Sequence, residues 1–197
     1  MEAKQRSMEM TVTVAEDQAN DKEYFVEGYA TTFEPYVLFR DDKDQPVYEQ
    51  IMKSAFDKAK MDDVILQYDH SGRVFARQSN GTLGLEVRDD GLYVWADLSK
   101  TEGSRALYED IKAGMINKMS WRFFIAPNGD TYDSGTRTFI VSNVREVIDV
   151  SAVSIPANSD TSISARKLEV EEVEKRKAEI DQREKEKLKL RLKIEGV

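Results

Sequence analysis

Residues 82–98 read TLGLEVRDDGLYVWADL. Two short apolar and β-branched or aromatic runs, Thr82–Val87 and Leu92–Leu98, flank Asp89-Asp90-Gly91. Each run is too short for a stable helix, and an Asp-Gly pair between such runs is a hairpin signal, so this stretch predicts two antiparallel strands. The same texture recurs outward at Tyr24–Phe33 (YFVEGYATTF), Val64–Tyr68 (VILQY), Met119–Ala126 (MSWRFFIA), Arg137–Val141 and Val144–Ile155. Two stretches break the pattern. Tyr48–Lys60 places Ile51, Ala55, Phe56 and Ala59 on one helical face, and Ser104–Lys112 places Leu107 and Ile111 four residues apart. Many short strands, two helices and no alternating βαβ order predict a strand-rich mixed α/β fold, a compact β-barrel flanked by helices.

The chain has 197 residues, no cysteine and one histidine, His70. Without cysteine there is no disulfide framework, thiol nucleophile, thiolate zinc site or iron–sulfur cluster. With one histidine there is no multi-histidine metal centre, and any catalytic imidazole is that of His70. A net charge of −8 is the wrong sign for displacing counterions from duplex nucleic acid. The sequence has no apolar run near the ~20 residues of a membrane-spanning helix, and the opening MEAKQRSMEMTVTVAEDQAND lacks the apolar core of a signal peptide. These features predict a soluble protein of the cell interior.

Charge divides the chain. Residues 165–197 hold 11 basic and 9 acidic side chains, a net of +2, which leaves the first 164 residues at −10. The last segment has no proline, and Glu171 with Lys175 and Glu179 with Arg183 follow i,i+4 spacing, so it is expected to be a charged helix. Val173, Ile180 and Ile194, at spacings of seven and fourteen, offer a seam for a partner helix. The expected organisation is a flexible segment over residues 1–22, a folded domain over 23–164 and a charged helical tail over 165–197.

Three places can carry chemistry. His70 follows an apolar strand and precedes Ser71-Gly72-Arg73, where a turn exposes a side chain. Ser120 opens an aromatic strand in which alternation puts Ser120, Arg122 and Phe124 on one face, with Trp121 and Phe123 on the other. Asp149 is an acid inside the apolar run VREVIDVSAV, and burial there demands hydrogen bonds or a cation. A serine, an imidazole and an acid are the parts of a nucleophile, a base and an orienting carboxylate. Spacing alone leaves the assignment open, because such a triad is defined by geometry. There is no GxSxG elbow, and the order His, Ser, Asp differs from that of chymotrypsin, subtilisin and the α/β-hydrolases.

Over about residues 23–165 the sequence resembles the prohead serine proteases of tailed bacteriophages, capsid-maturation enzymes akin in fold to herpesvirus assemblins. The blocks are VEGYATTF, YEQIMKSAFDKA, YDHSGRVFARQSNGTLGLEVRDDGLYVWADL, LYEDIKAGMINKMSWRFF and VIDVSAVSIPANSDTSI, in that order. The resemblance implies His70 as general base, Ser120 as nucleophile and an acid in the closing strand. Asp149 stands there in place of the family's usual Glu before Val-Ser, with Glu146 as the alternative orienter. Arg122 replaces a frequent glycine. Arg145 and Arg122 are candidates for the oxyanion or substrate contacts. The implied reaction is peptide hydrolysis through an acyl-enzyme, without metal or organic cofactor. The implied substrates are the major capsid protein, its scaffolding segment and the protease itself, inside the procapsid in the host cytoplasm. A homodimer or higher oligomer is implied as well, and no nucleic acid or membrane. The tail would recruit the enzyme to the shell and be removed by self-cleavage, and its deletion from residue 166 should spare peptide cleavage. The alternative is a noncatalytic assembly or scaffolding protein that keeps the same fold.

Overall fold

The computed structural model describes residues 4–14, 23–154, 167, 170–183 and 185–186. Among the described residues, twelve strands form two sheets. The larger contains β1 (Lys4–Val14), β2 (Phe25–Thr32), β5 (Ile65–Tyr68), β6 (Ser71–Arg77), β7 (Leu83–Val87), β8 (Gly91–Asp97), β9 (Lys118–Ile125) and β12 (Val144–Val153), in the order β6-β5-β12-β9-β1-β2-β8-β7. The smaller contains β3 (Tyr36–Arg40), β4 (Pro46–Ile51), β10 (Asp130–Asp133) and β11 (Thr138–Val141), in the order β10-β11-β4-β3. The expected hairpin is β7–β8, with Val87 opposite Leu92.

The fold is strand-rich and mixed, as the sequence predicts, but the closed barrel is not formed. Among the described residues no ladder joins the edge strands β6 and β7. The turn Gln78–Asn80, ended by Gly81 at φ 73°, separates them, and helix α1 (Glu102–Lys112) packs on β6, where the Ser104 hydroxyl donates to the Phe75 carbonyl at 2.8 Å. Thr101 caps α1 by accepting the Ser104 N–H, and Gly114, at φ 73°, ends it. Leu107, Tyr108 and Ile111 of α1 join the main core with Trp121, Phe123, Leu66, Val94 and Val150.

Two further expectations are corrected. The helix expected over Tyr48–Lys60 is strand β4 followed by a short 3-10 turn, Lys53–Phe56. Ladders on both sides hold β4, antiparallel to β3 and parallel to β11. Val47, Glu49 and Ile51 alternate inward and are fully buried, a period-two signal that overrides the helical spacing of Ile51, Ala55, Phe56 and Ala59. The reading of residues 1–22 as a flexible segment gives way over Lys4–Val14 to a strand between β9 and β2.

Residues 170–183 of the tail are helical. Their first turns belong to the fold. Val170 is 4% exposed and completes a second apolar cluster with Leu38, Phe39, Val47 and Phe139 of the smaller sheet. Arg137 donates to Glu174 at 3.2 Å and to Asp41 at 2.6 Å, which ties the helix to β11 and to the turn after β3. Ile180, one heptad beyond Val173, is 57% exposed.

Candidate active site

Three adjacent strands of the larger sheet build the site. Strand β12 runs parallel to β5 on one side and antiparallel to β9 on the other. The register sets two rows. Ser120 lies opposite Ser151, which lies opposite Gln67, and Arg122 lies opposite Asp149. Because directly paired residues point to the same side of a sheet, these side chains share one face, while Trp121, Val150 and Leu66 fill the core on the other.

A β-bulge makes this possible. Between Val147 and Asp149 the ladder advances two residues on β12 and one on β9. Val147 therefore pairs with Phe123, a core residue, while Asp149 pairs with Arg122 on the polar side. One extra residue inverts which alternate positions face the core, so the same strand buries Val147 among apolar rings and delivers Asp149 to the polar row.

His70 arrives from the connection between β5 and β6. Tyr68 pairs with Ser71, which leaves Asp69-His70 as a two-residue hairpin loop with φ of 47° and 54°. Positive φ at both central positions is what a type I′ turn requires, and Asp and His tolerate it better than most residues. The Asp69 carboxylate accepts the Ser154 N–H at 3.0 Å and the Ser154 hydroxyl at 2.9 Å, and the Asp69 N–H donates to the Ala152 carbonyl at 3.1 Å. The strained turn is thereby fastened to the end of β12.

These supports bring His70, Ser120 and Asp149 into one line. His70 Nε2 is 2.6 Å from Ser120 Oγ, and His70 Nδ1 is 2.5 Å from Asp149 Oδ1. Ser120 and Asp149 have no solvent exposure, and His70 is 8% exposed. The buried carboxylate is satisfied on both oxygens. Oδ1 also accepts the Ser151 hydroxyl at 3.0 Å, and Oδ2 accepts Arg122 Nε–H in an ion pair. Such pairing is what allows a carboxylate to stay buried without the several kcal/mol cost of an isolated charge. Ser151 Oγ further accepts the His70 backbone N–H at 3.2 Å. With Nδ1–H given to Asp149, Nε2 is free to accept the serine hydroxyl proton.

The other sequence candidates lie elsewhere. Glu146 pairs with Phe124, four residues along β9 from Ser120, a distance of about 13 Å. Its carboxylate is 3.6 Å from Lys60 Nζ. Arg145 lays its guanidinium on the Phe124 ring, 4.4 Å from the centroid. Arg122 is directed at the acid and, through Nη2, at Gln67 Oε1 3.4 Å away. Two members of the constellation, Ser151 and Gln67, were not singled out from the sequence. Ser151 was within reach, since it stands two residues after Asp149 on the same face of a strand. Among the described residues no group of three or more His, Asp or Glu is placed to hold a metal ion, and no helix is long and apolar enough to cross a membrane.

The family model described as caudovirus prohead serine protease matches residues 10–176, from within β1 to the helix that docks through Val170 and Glu174. No curated protein and no solved structure matches the chain.

Proposed function

Because the chain belongs to the caudovirus prohead serine protease family, we propose that it is an endopeptidase of the immature phage shell in which Ser120 is the nucleophile, His70 the general base and Asp149 the orienting acid. The observation that carries this reading is the unbroken line from Ser120 Oγ through both ring nitrogens of His70 to Asp149 Oδ1. If Ser120 were only polar filler at a strand start, nothing would call for the sole imidazole of the chain to end on its hydroxyl.

In the proposed reaction His70 Nε2 takes the Ser120 proton as Oγ attacks the scissile carbonyl, and the resulting imidazolium gives that proton to the leaving amine. The acyl-enzyme is then hydrolysed by water activated at the same nitrogen. Asp149 keeps the proton on Nδ1 and faces the positive charge that develops on the ring. Aspartate in place of the family's glutamate shortens the acid by one methylene. The 2.5 Å contact between His70 Nδ1 and Asp149 Oδ1 supports the shorter side chain as long enough for the orienting role.

The substrates we propose are the major capsid protein with its scaffolding segment and the protease's own tail. Val170 and Glu174 are part of the folded unit, so the removable part of the tail starts beyond them, later than the change in composition at residue 165. Intact mass spectrometry of the protein and of its Ser120→Ala variant, each produced with and without the cognate capsid protein, tests the assignment. Discrete cuts in capsid protein or tail with wild type alone are expected. Two uncleaved proteins that both join capsid assemblies would favour the noncatalytic scaffolding role, and identical cuts in both would remove Ser120 as nucleophile.

A further inference from the structure

On the reading of Ser120, His70 and Asp149 just given, we infer that Arg122, braced by Gln67, is a positioning residue that selects the orientation of the catalytic acid. The carboxylate of Asp149 ends a short side chain on one soft torsion, so nothing intrinsic to Asp149 fixes the plane in which an oxygen meets His70. The surroundings decide it. Arg122 Nε–H occupies Oδ2, and Oδ1 is left for His70 Nδ1 at 2.5 Å and the Ser151 hydroxyl at 3.0 Å.

The guanidinium is itself held. Arg122 Nη2 donates to Gln67 Oε1 at 3.4 Å, and Gln67 Nε2 donates to the Gly72 carbonyl at 3.4 Å. Gly72 lies two residues beyond His70 on β6, so a chain of contacts runs from the acid through Arg122 and Gln67 back to the hairpin that carries the base. Ser151 closes the same circuit from the other side, between Asp149 Oδ1 and the His70 N–H. The acid and the base are thus tied together by two routes besides their own bond. A cation also balances the charge of a fully buried acid until the ring takes up its proton. Arg122 acts on the reaction through Asp149 and touches neither Ser120 nor His70 in any contact described, which separates this role from that of an oxyanion or substrate contact.

The Arg122 side chain is 30% exposed, so truncation opens a channel from solvent to Asp149 Oδ2 that a free guanidinium ion can enter. In Arg122→Ala, kcat on a capsid-derived peptide should fall about 100-fold, the order expected when a catalytic group is displaced by about 1 Å, with KM within about twofold. Guanidinium chloride at tens of millimolar should restore about tenfold of that loss and do nothing for Ser120→Ala. The only histidine gives a further readout independent of turnover. In protein labelled at histidine nitrogen, the single Nδ1–H resonance should shift and broaden in Arg122→Ala and return with guanidinium.

Full activity in Arg122→Ala would overturn the inference, as would a loss that neither guanidinium nor Arg122→Lys relieves while the His70 resonance stays unchanged. Wild-type protein without any Ser120-dependent cleavage would instead overturn the protease reading. In that case a His70 resonance that still depends on Arg122 would show the geometric part of the inference intact.

Discussion

Asp149→Asn changes one heavy atom of the site and tests how its hydrogen bonds are directed. The amide has one acceptor and one donor group where the carboxylate has two acceptors. Arg122 can only donate, so an amide NH2 group turned toward it would set two donors against each other beside a cation. The amide oxygen therefore faces Arg122, and the NH2 group faces His70 Nδ1. A donor at Nδ1 forces the ring proton to Nε2, which then points at Ser120 Oγ from 2.6 Å and cannot accept its proton. The proposed nucleophile keeps its place and loses its proposed base. Loss of the correct tautomer costs about 10⁴ in rate in serine proteases built on the same three groups, which is about 5.4 kcal/mol of barrier. The rate at which a fluorophosphonate labels Ser120 measures this without knowledge of the cleavage site. The same logic predicts a reversal. In Arg122→Met/Asp149→Asn the amide is free to turn its oxygen toward His70 Nδ1–H, so the double variant should react about tenfold faster than Asp149→Asn alone. A double variant slower than both single variants, or an Asp149→Asn protein with near wild-type labelling, would refute the reasoning.

Val170→Ala should lower stability by about 1–3 kcal/mol in urea unfolding, because it opens the apolar cluster with Phe39 and Phe139. By the same argument a chain ended at residue 166 should melt well below one ended at residue 183, a difference that calorimetry reads directly. Gly84→Ala should cost about 1–3 kcal/mol, since the added methyl carbon would sit 2.2 Å from the Trp95 ring, which Phe25 holds by stacking at 5.5 Å. A shift in Trp95 fluorescence should accompany it. At Asp69, with φ 47°, Asn should be tolerated, whereas Val should cost about 1–2 kcal/mol for its conformation alone and slow Ser120 labelling by displacing His70. Burial opposes ionisation of Asp97, but hydrogen bonds from Ser99 and the nearby Lys100 ammonium outweigh it and hold the carboxyl below the ordinary 3.8. The folded chain thus binds that proton less readily than the unfolded one. The stability it supplies is complete above pH 3.8 and is lost as pH falls through the lower folded value, so Asp97→Asn should flatten the acid limb of a stability–pH curve.

How far the sequence could be read depended on whether the information was local. Strands β2, β5, β7, β8, β9, β11 and β12 were legible because each alternates or clusters β-branched and aromatic residues between turn residues. Strand β1 was not, because KQRSMEMTVTV is polar over its first half and becomes a strand only through its partners, β9 and β2. Strand β4 failed for the opposite reason. Its neighbourhood satisfies two periods at once, and the inward row Val47, Glu49, Ile51 contains an acid that no pattern of apolar residues would count. That acid is fully buried, and Tyr36 donates to it at 2.5 Å from the neighbouring strand.

The site divides along the same line. His70 and Ser120 stood out as the sole imidazole and as a hydroxyl at a strand start, and Asp149 as an acid among apolar residues. Proposing Asp149 over Glu146 as the acid, and learning where Arg122 points, required the register of β12 on β9. Strict alternation back from Asp149 puts Val147 and Arg145 on the polar face and sends Glu146 toward the core. The bulge before Asp149 reverses this, so that Val147 meets Phe123 and Glu146 meets Phe124, two rows from Ser120. No residue in VREVIDVSAV announces the bulge, since Ile148 is as ordinary in a strand as its neighbours. Its cause lies in what both halves of the strand must satisfy, apolar packing for Val144 and Val147 and polar pairing for Asp149 and Ser151. One pleat cannot meet both demands from residues at those spacings; the extra residue between Val147 and Asp149 separates the two halves, and a second register shift between Val144 and Glu146 keeps Val144 on the core side with Val147. The polar row is therefore a property of three strands in register, and any change that slips β12 by one residue should remove the acid from His70 while leaving every side chain of the site in the sequence.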